Sequence, residues 1–436
     1  MTGTAAGSLL DVGAEMHSWA TDLFPICRSI TGNGVRQTLR YLSELMPGLE
    51  MHEVPSGTTA FDWTVPDEWN VTGAYIEDES GRRIVDFARN NLHLVGYSEP
   101  VDKWLTLEEL QPHLHSLPEQ PDAIPYITSY YARRWGFCLS QEQRDQLPRG
   151  RYHVVVDSTL APGSLTYGEL IIPGTEEKEI LLSTYICHPS LANNELSGPV
   201  VTTAIARWIA SLESRRYTYR IVFIPETIGS IVYISSHLAE LKRNVVAGFV
   251  VTCVGDDRAY SLLHSRRGDT LADRAARLVM SRHAPAYVEY SFLDRGSDER
   301  QYCSPGVDLP VVSIMRTKYN SYPEYHTSLD DLTLITPAGL AGGCEAIRKC
   351  IVLLEHNRTY KATTPCEPQL GKRGLYPTLS TRGAGYSMRA MTNVLAYSDG
   401  TLDLIDVATK IGLSGDEAMT IAEQLAGHGL LVAADA

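Results

Sequence analysis

The sequence predicts an α/β protein: a mostly parallel sheet with helices on both faces, carrying a small β-rich insertion and ending in a winged helix. Three observations predict this. Between 169 and 360, apolar runs of strand length alternate with helix-period patterns, which is the arrangement of a parallel sheet covered by helices. Residues 61–168 have a different texture, rich in Trp and Tyr with short strand-like runs. The tail after 386 holds three short helical patterns and an apolar end at 429–432.

The elements follow in order. A helix is expected over 9–24, with residues 1–8 as a frayed start. A second helix follows Gly32 and Gly34, with Val35, Leu39, Leu42 and Met46 on one face. In the aromatic stretch, 69–76 and 83–87 read as strands joined by a turn at 78–81, and 152–157 as another strand. The main unit then offers strands at 179–187, 219–225, 245–255 and 309–316. Helices at 197–213, 231–241 and 270–281 alternate with them. The first of these helices carries Val200, Ala204, Trp208 and Leu212 at helical spacing. Thr336 caps a last helix with Pro337 at its first position and Leu340, Cys344, Ile347 and Ile351 on its buried face. The domain reading is 1–60 with 169–385 as the α/β unit, 61–168 as the insertion and 386–436 as the winged helix.

Composition narrows the function. The net charge of −14 disfavours a nucleic-acid backbone as partner, which needs clustered Lys and Arg. The tail sharpens this, because Arg389 and Lys410 are its only basic side chains from 389 onward, against seven acidic ones. A winged helix that does not bind DNA is therefore expected. No apolar run of about 18 residues is present, so no membrane span is expected, and the first residues lack a signal-peptide pattern. Eight scattered cysteines without a CxxC pair point to a reducing, cytoplasmic setting. A homo-oligomer is compatible with all of this.

The chemistry concentrates at strand ends. One apolar strand ends in His188 and is followed by a polar turn, 190–195, that opens a helix. Glu226 follows the next strand, Asp256 and Asp257 the one after, and His326 lies in the loop beyond 309–316. In open α/β sheets ligands gather at the carboxyl ends of strands. Two histidines and a carboxylate hold Zn²⁺ and leave a position for water, and a further carboxylate is needed to move the proton. Taken singly, Glu226 reads equally well as a favourable charge at a helix N-terminus, and His326 as a loop hydrogen-bonder.

The order of these residues resembles the zinc aminopeptidases with co-catalytic metals. More closely it resembles a bacterial aminopeptidase-like family with a small inserted β domain and a C-terminal winged helix. The matching segments are 187–193, 225–230, 296–302, 323–330 and 367–374. The resemblance makes His188 and His326 the metal histidines, Glu226 the general base and Asp298 an acid that orients the site. It implies an aminopeptidase-like hydrolase that cleaves a peptide or amide bond of a small, amine-bearing substrate. Three departures follow. Asn194 stands where the family places a metal-bridging Asp, Thr227 where it has a second Glu ligand, and Thr252 where it has a second-metal Asp. An amide is a poorer ligand than a carboxylate for a borderline dication. One Zn²⁺ per chain at most is therefore expected, held by His188, His326 and one nearby carboxylate, which Glu195 can supply through a loop shift; Asn194 is kept among the metal-site positions. Arg295, Arg316 and Tyr325 are candidate substrate contacts, the arginines as carboxylate clamps. Two rival readings remain: an aminopeptidase-fold scaffold without turnover, and an acyl-transfer or cyclisation enzyme at a single zinc.

Overall fold

The computed structural model describes residues 9–375 and 384–434; the expected frayed start at 1–8 lies outside them. The chain divides into two compact units, 1–268 with 288–344, and 269–287 with 345–436.

The first unit is organised by an eight-stranded sheet. Named by first residue, its strands run in the order 50, 164, 218, 179, 245, 311, 261, 288. The four central strands, Thr218–Ile224, Glu179–Tyr185, Val245–Val250 and Val311–Met315, are mutually parallel. They are almost wholly buried, as the near-continuous apolar runs require. Helices Ser197–Ser211 and Ile228–Asn244 make the crossovers between them. The flanks are antiparallel on both sides, where Glu50–Pro55 pairs with Ser164–Ile172 and Ser261–Leu263 with Val311–Met315. Ser164–Ile172 straddles the sequence boundary at 168. It leaves the inserted region and enters the main sheet without a break.

The insertion holds its own four-stranded antiparallel sheet, built of Arg83–Asp86, Glu68–Asp78, Arg151–Ala161 and Val101–Thr106. Its alternating pattern buries Ala74, Ile76, Tyr152, Val154 and Val156 in one cluster. On the main sheet, Arg220 is a buried charge satisfied by Glu179 at 2.6 and 3.0 Å and by Glu169 at 2.8 Å.

In the second unit, helices Ala384–Tyr397, Leu404–Ile411 and Gly415–Gly427 accompany a three-stranded sheet of Asp399–Asp403, Thr359–Ala362 and Leu431–Ala433. The strand Thr359–Ala362 precedes the tail boundary read from the sequence, at 386. Four residues carry too little periodicity to announce a strand.

Candidate metal centre and active site

Neighbouring strands deliver the site. The strand Glu179–Tyr185 runs on into Cys187 and His188. The chain then makes a π-helical turn, Ala192–Leu196, before helix Ser197–Ser211. Such turns recur at functional sites. The adjacent strand Thr218–Ile224 ends in Pro225-Glu226-Thr227 and enters the next helix. His326 lies in the loop after Val311–Met315. Thr227, His326 and Cys253 hold positive φ of 65°, 57° and 50°. For a β-branched residue such as Thr227 this is a sterically costly conformation, of order 1–3 kcal/mol, that surrounding contacts must impose.

His188 Nε2 lies 3.7 Å from Glu226 Oε2, and the rings of His188 and His326 are 5.5 Å apart. Behind His188, its Nδ1 donates to Glu195 Oε2 at 2.8 Å. Arg28 Nε reaches Glu195 Oε1 at 3.3 Å and the His188 carbonyl at 3.0 Å. All three side chains are buried. A carboxylate on one imidazole nitrogen fixes the tautomer and ring, and leaves the other nitrogen free as a ligand. Cys187 Sγ, His188 Nδ1 and the Glu195 carboxylate also lie close enough together to be read as a ligand group. However, that His nitrogen is already bonded to Glu195, so the free donor is Nε2.

Unpartnered atoms mark the same place. Of twelve buried side-chain polar atoms without a hydrogen bond among the described residues, six belong to Asn194, Ser297, Asp298, Glu299, Arg300 and His326. Buried polar groups are normally satisfied, so a cluster of exceptions asks for a missing partner. For His326 Nε2, whose ring lies 5.5 Å from that of His188, a cation suits an imidazole donor set, and Asn194 Oδ1 is a further unpartnered oxygen.

The positions expected of a second metal are filled differently. Tyr185 hydroxyl accepts from Asn194 Nδ2 at 2.7 Å and donates to the Asn194 carbonyl at 2.8 Å. It also bonds Thr252 Oγ1, which reaches the same carbonyl at 3.1 Å. Asp330 clips the turn from below by accepting the backbone N–H groups of Asn193 and Asn194.

Electrostatics separate the roles. Burial, and the charge of nearby His188, push the His326 pKa down to about 3, so its imidazole is a neutral donor of a lone pair. Burial pushes the Glu226 carboxyl up. Burial and the Glu226 charge raise Asp298 to about 7. Asp298 Oδ1 accepts the Thr227 N–H and the Ser230 hydroxyl, each at 2.8 Å, and so fixes the turn that carries Glu226.

The structure brings His188, Glu226, His326, Asn194 and Asp298 to this pocket, with Glu195 behind His188. Tyr325 stacks on His326 at 3.9 Å. The two arginines picked from the sequence go elsewhere. Arg295 is exposed and bonds the Phe292 carbonyl, and Arg316 lies over the Tyr260 ring at 3.8 Å. The arginine that reaches the site is Arg300, whose Nη2 donates to Thr227 Oγ1. Its position within the 296–302 motif was the available signal. Arg28 and Tyr126 were also missed. Tyr126 belongs to the insertion, yet its ring lies 5.1 Å from both metal-site histidines. Its N–H donates to the His326 carbonyl at 2.8 Å, and Ser328 N–H to the Ile124 carbonyl at 2.9 Å.

Comparison with known proteins agrees with this architecture. Residues 17–357 match the family described as "Domain of unknown function (DUF4910)", and 358–433 match a winged helix-turn-helix. A Clostridium acetobutylicum protein named "Putative polysaccharide biosynthesis protein with aminopeptidase-like domain" is 47% identical over 406 residues, covering 92% of each chain. A solved structure from the same organism, described as a "putative peptidase", is 45% identical with a TM-score of 0.92, covering 98% of this chain and 97% of that one. The zinc aminopeptidase of Bacillus subtilis is 13% identical and covers 78% of this chain and 94% of its own, with a TM-score of 0.56, a likeness of fold. The chain therefore belongs to the DUF4910 family, with an aminopeptidase-type α/β fold followed by a winged helix-turn-helix.

Proposed function

We propose that the protein is a single-zinc hydrolase that cleaves a peptide or amide bond in a small substrate. The observation that carries this reading is the pairing of His188 and His326, rings 5.5 Å apart with His326 Nε2 buried without a partner, beside a Glu226 carboxyl that burial has made more basic; Asn194, whose Oδ1 is also buried without a partner, is taken as the third ligand. A zinc ion held by His188, His326 and Asn194 would polarise the scissile carbonyl and make water a nucleophile near neutral pH. Glu226 takes the proton from the attacking water and hands it to the leaving amine, a role that contributes about 10²–10⁴-fold in rate. Asp298 orients Glu226 through the Thr227 N–H. Glu195 and Arg28 hold His188 rather than the metal. Tyr126 and Tyr325 wall the pocket and restrict it to small substrates.

The winged helix is assigned to protein contacts rather than DNA on its acidic balance from 389 onward, although over the matched segment, 358–433, Lys and Arg equal Asp and Glu at seven each. The protein is placed in the cytoplasm on its scattered free thiols.

Elemental analysis of purified protein tests the metal, with about one zinc per chain expected. A panel of dipeptides and N-acyl amino acids tests turnover. In Glu226→Gln, turnover falls by the factor above while zinc content is retained. Loss of zinc in that variant overturns the base assignment, and no zinc uptake by the wild type overturns the metal-centre reading.

A further inference from the structure

Among the described residues, no carboxylate is hydrogen-bonded to or ion-paired with Arg300. Its Nη2 donates to a neutral hydroxyl, Thr227 Oγ1, and its Nε is buried with no partner. Buried Arg316 is similar, with its Nε unpartnered and its guanidinium over the Tyr260 ring, whereas three other arginines are ion-paired. Arg28, Arg220 and Arg274 each hold a carboxylate at 3.3 Å or closer. Glu299, the preceding residue, forms no ion pair with it, although its Oε2 is also buried without a partner. Its Oε1 already accepts the Gly296 and Ser297 N–H groups and the Tyr319 hydroxyl. The Arg300 charge acts on Glu226, Asp298 and Tyr325, which places it at the wall of the pocket that holds the base. Beside it, the buried Ser297 hydroxyl lies next to the Glu226 carboxylate without a completed hydrogen bond.

An arginine that served only to balance the pocket's carboxylates would contact one of them. Arg300 instead contacts a hydroxyl and keeps Nε free. A guanidinium presents paired N–H donors that match a planar carboxylate. A phosphate dianion fits less well, because Glu226, Asp298 and Glu299 already crowd one guanidinium with negative groups, and a second added charge would meet repulsion.

We propose that Arg300, assisted by the Ser297 hydroxyl, is a specificity residue that receives a single carboxylate of the substrate beside the scissile amide. The assignment deepens, and for the word substrate rests on, the hydrolase reading. It gives the substrate class as N-acyl amino acids or dipeptides with a free carboxyl end.

Calorimetric titration of zinc-loaded, full-length protein with a series of N-acetyl-L-amino acids and dipeptides, and with their carboxamides, tests it. The acids are expected to bind about 10–100-fold more tightly than the matching carboxamides, the usual value of a charge-assisted hydrogen bond. In Arg300→Gln the preference disappears. In Arg300→Lys, which keeps the charge but loses the fork, part of it remains, and this variant carries the test if the Gln variant unfolds on a thermal scan. Equal affinity for acids and carboxamides, no binding of any acid, or a preference that survives Arg300→Gln overturns the proposal. Hydrolysis is scored separately in the wild type. Acid-selective binding without hydrolysis keeps the carboxylate subsite and removes the hydrolase reading; hydrolysis without acid preference does the reverse.

Discussion

The two sides of the pocket treat their donors in opposite ways. On one side, His326 keeps Nε2 without a hydrogen bond, His188 Nε2 faces only Glu226 at 3.7 Å, and Glu226 remains partly open to solvent. On the other, Asn194, Thr252 and Tyr185 bond to one another. Both sides sit at the ends of the same parallel strands, so topology does not distinguish them. The difference lies in what stands behind each. His188 is held from behind by a buried ion pair, which leaves its front face empty. The Asn194 side is closed by a phenol that occupies the amide and the threonine together. The contrast is the basis on which the proposed centre is given one ion rather than two.

The support behind His188 is where the comparison breaks most easily. Arg28→Met removes the cation that holds Glu195 and leaves the buried carboxylate with only the His188 imidazole as partner. Breaking a buried pair in this way costs about 3–5 kcal/mol, measurable as a lower midpoint in a denaturant titration. The same change frees the His188 ring, and zinc affinity is expected to fall about 10–100-fold, as for other partners of metal ligands. Unchanged zinc affinity in folded Arg28→Met protein would show that His188 needs no such support.

A smaller effect sharpens the open side. Glu226 and Asp298 both have raised pKa values, so the pair holds a proton that leaves as pH rises through about 7. Glu226 is a base only when deprotonated. Activity therefore rises with pH over that window and is lost as pH falls through it. Asp298→Asn keeps an oxygen for the Thr227 N–H but removes the neighbouring charge. Because the Glu226 charge is what raises Asp298, the step near 7 disappears from the pH profile while the burial-raised ionisation of Glu226 remains. A step near 7 that persists would mean that Asp298 acts by position alone.

The same contrast explains what the sequence could and could not reveal. His188 and Glu226 were legible because each directly follows an apolar strand, and parallel strands bring their ends together. His326 needed the additional context of its loop. Arg28 was not legible, since it reaches His188 across 160 positions of sequence. Tyr126 was hidden for the same reason: it pairs with the His326 loop from inside the insertion. Among Arg295, Arg300 and Arg316, charge pattern alone could not choose. The four-residue helix Glu299–Tyr302 turns Arg300 toward Thr227 and leaves Arg295 exposed. In the fold, long apolar strands announced themselves, whereas Ser261–Leu263 and Val288–Tyr290, three residues each, did not.

The closed side yields the smallest expected change and the most specific test. Asn194→Asp restores a carboxylate at the position where related metal centres bridge two ions. One carboxylate does not rebuild the second site, because Thr227 and Thr252 still offer only hydroxyls. Thr227 Oγ1 already accepts from Arg300, and Thr252 Oγ1 donates to the Asn194 carbonyl. The Tyr185 hydroxyl loses a donor from the amide and turns its own proton to the new carboxylate, so it stays in place. Zinc content is therefore expected to remain near one per chain, with tighter binding of that ion, since a charged oxygen is the better ligand. Elemental analysis with a zinc titration reads both quantities. Two zinc ions per chain would show that Asn194 alone sets the metal count, and that the closed side is held shut by one amide rather than by three residues together.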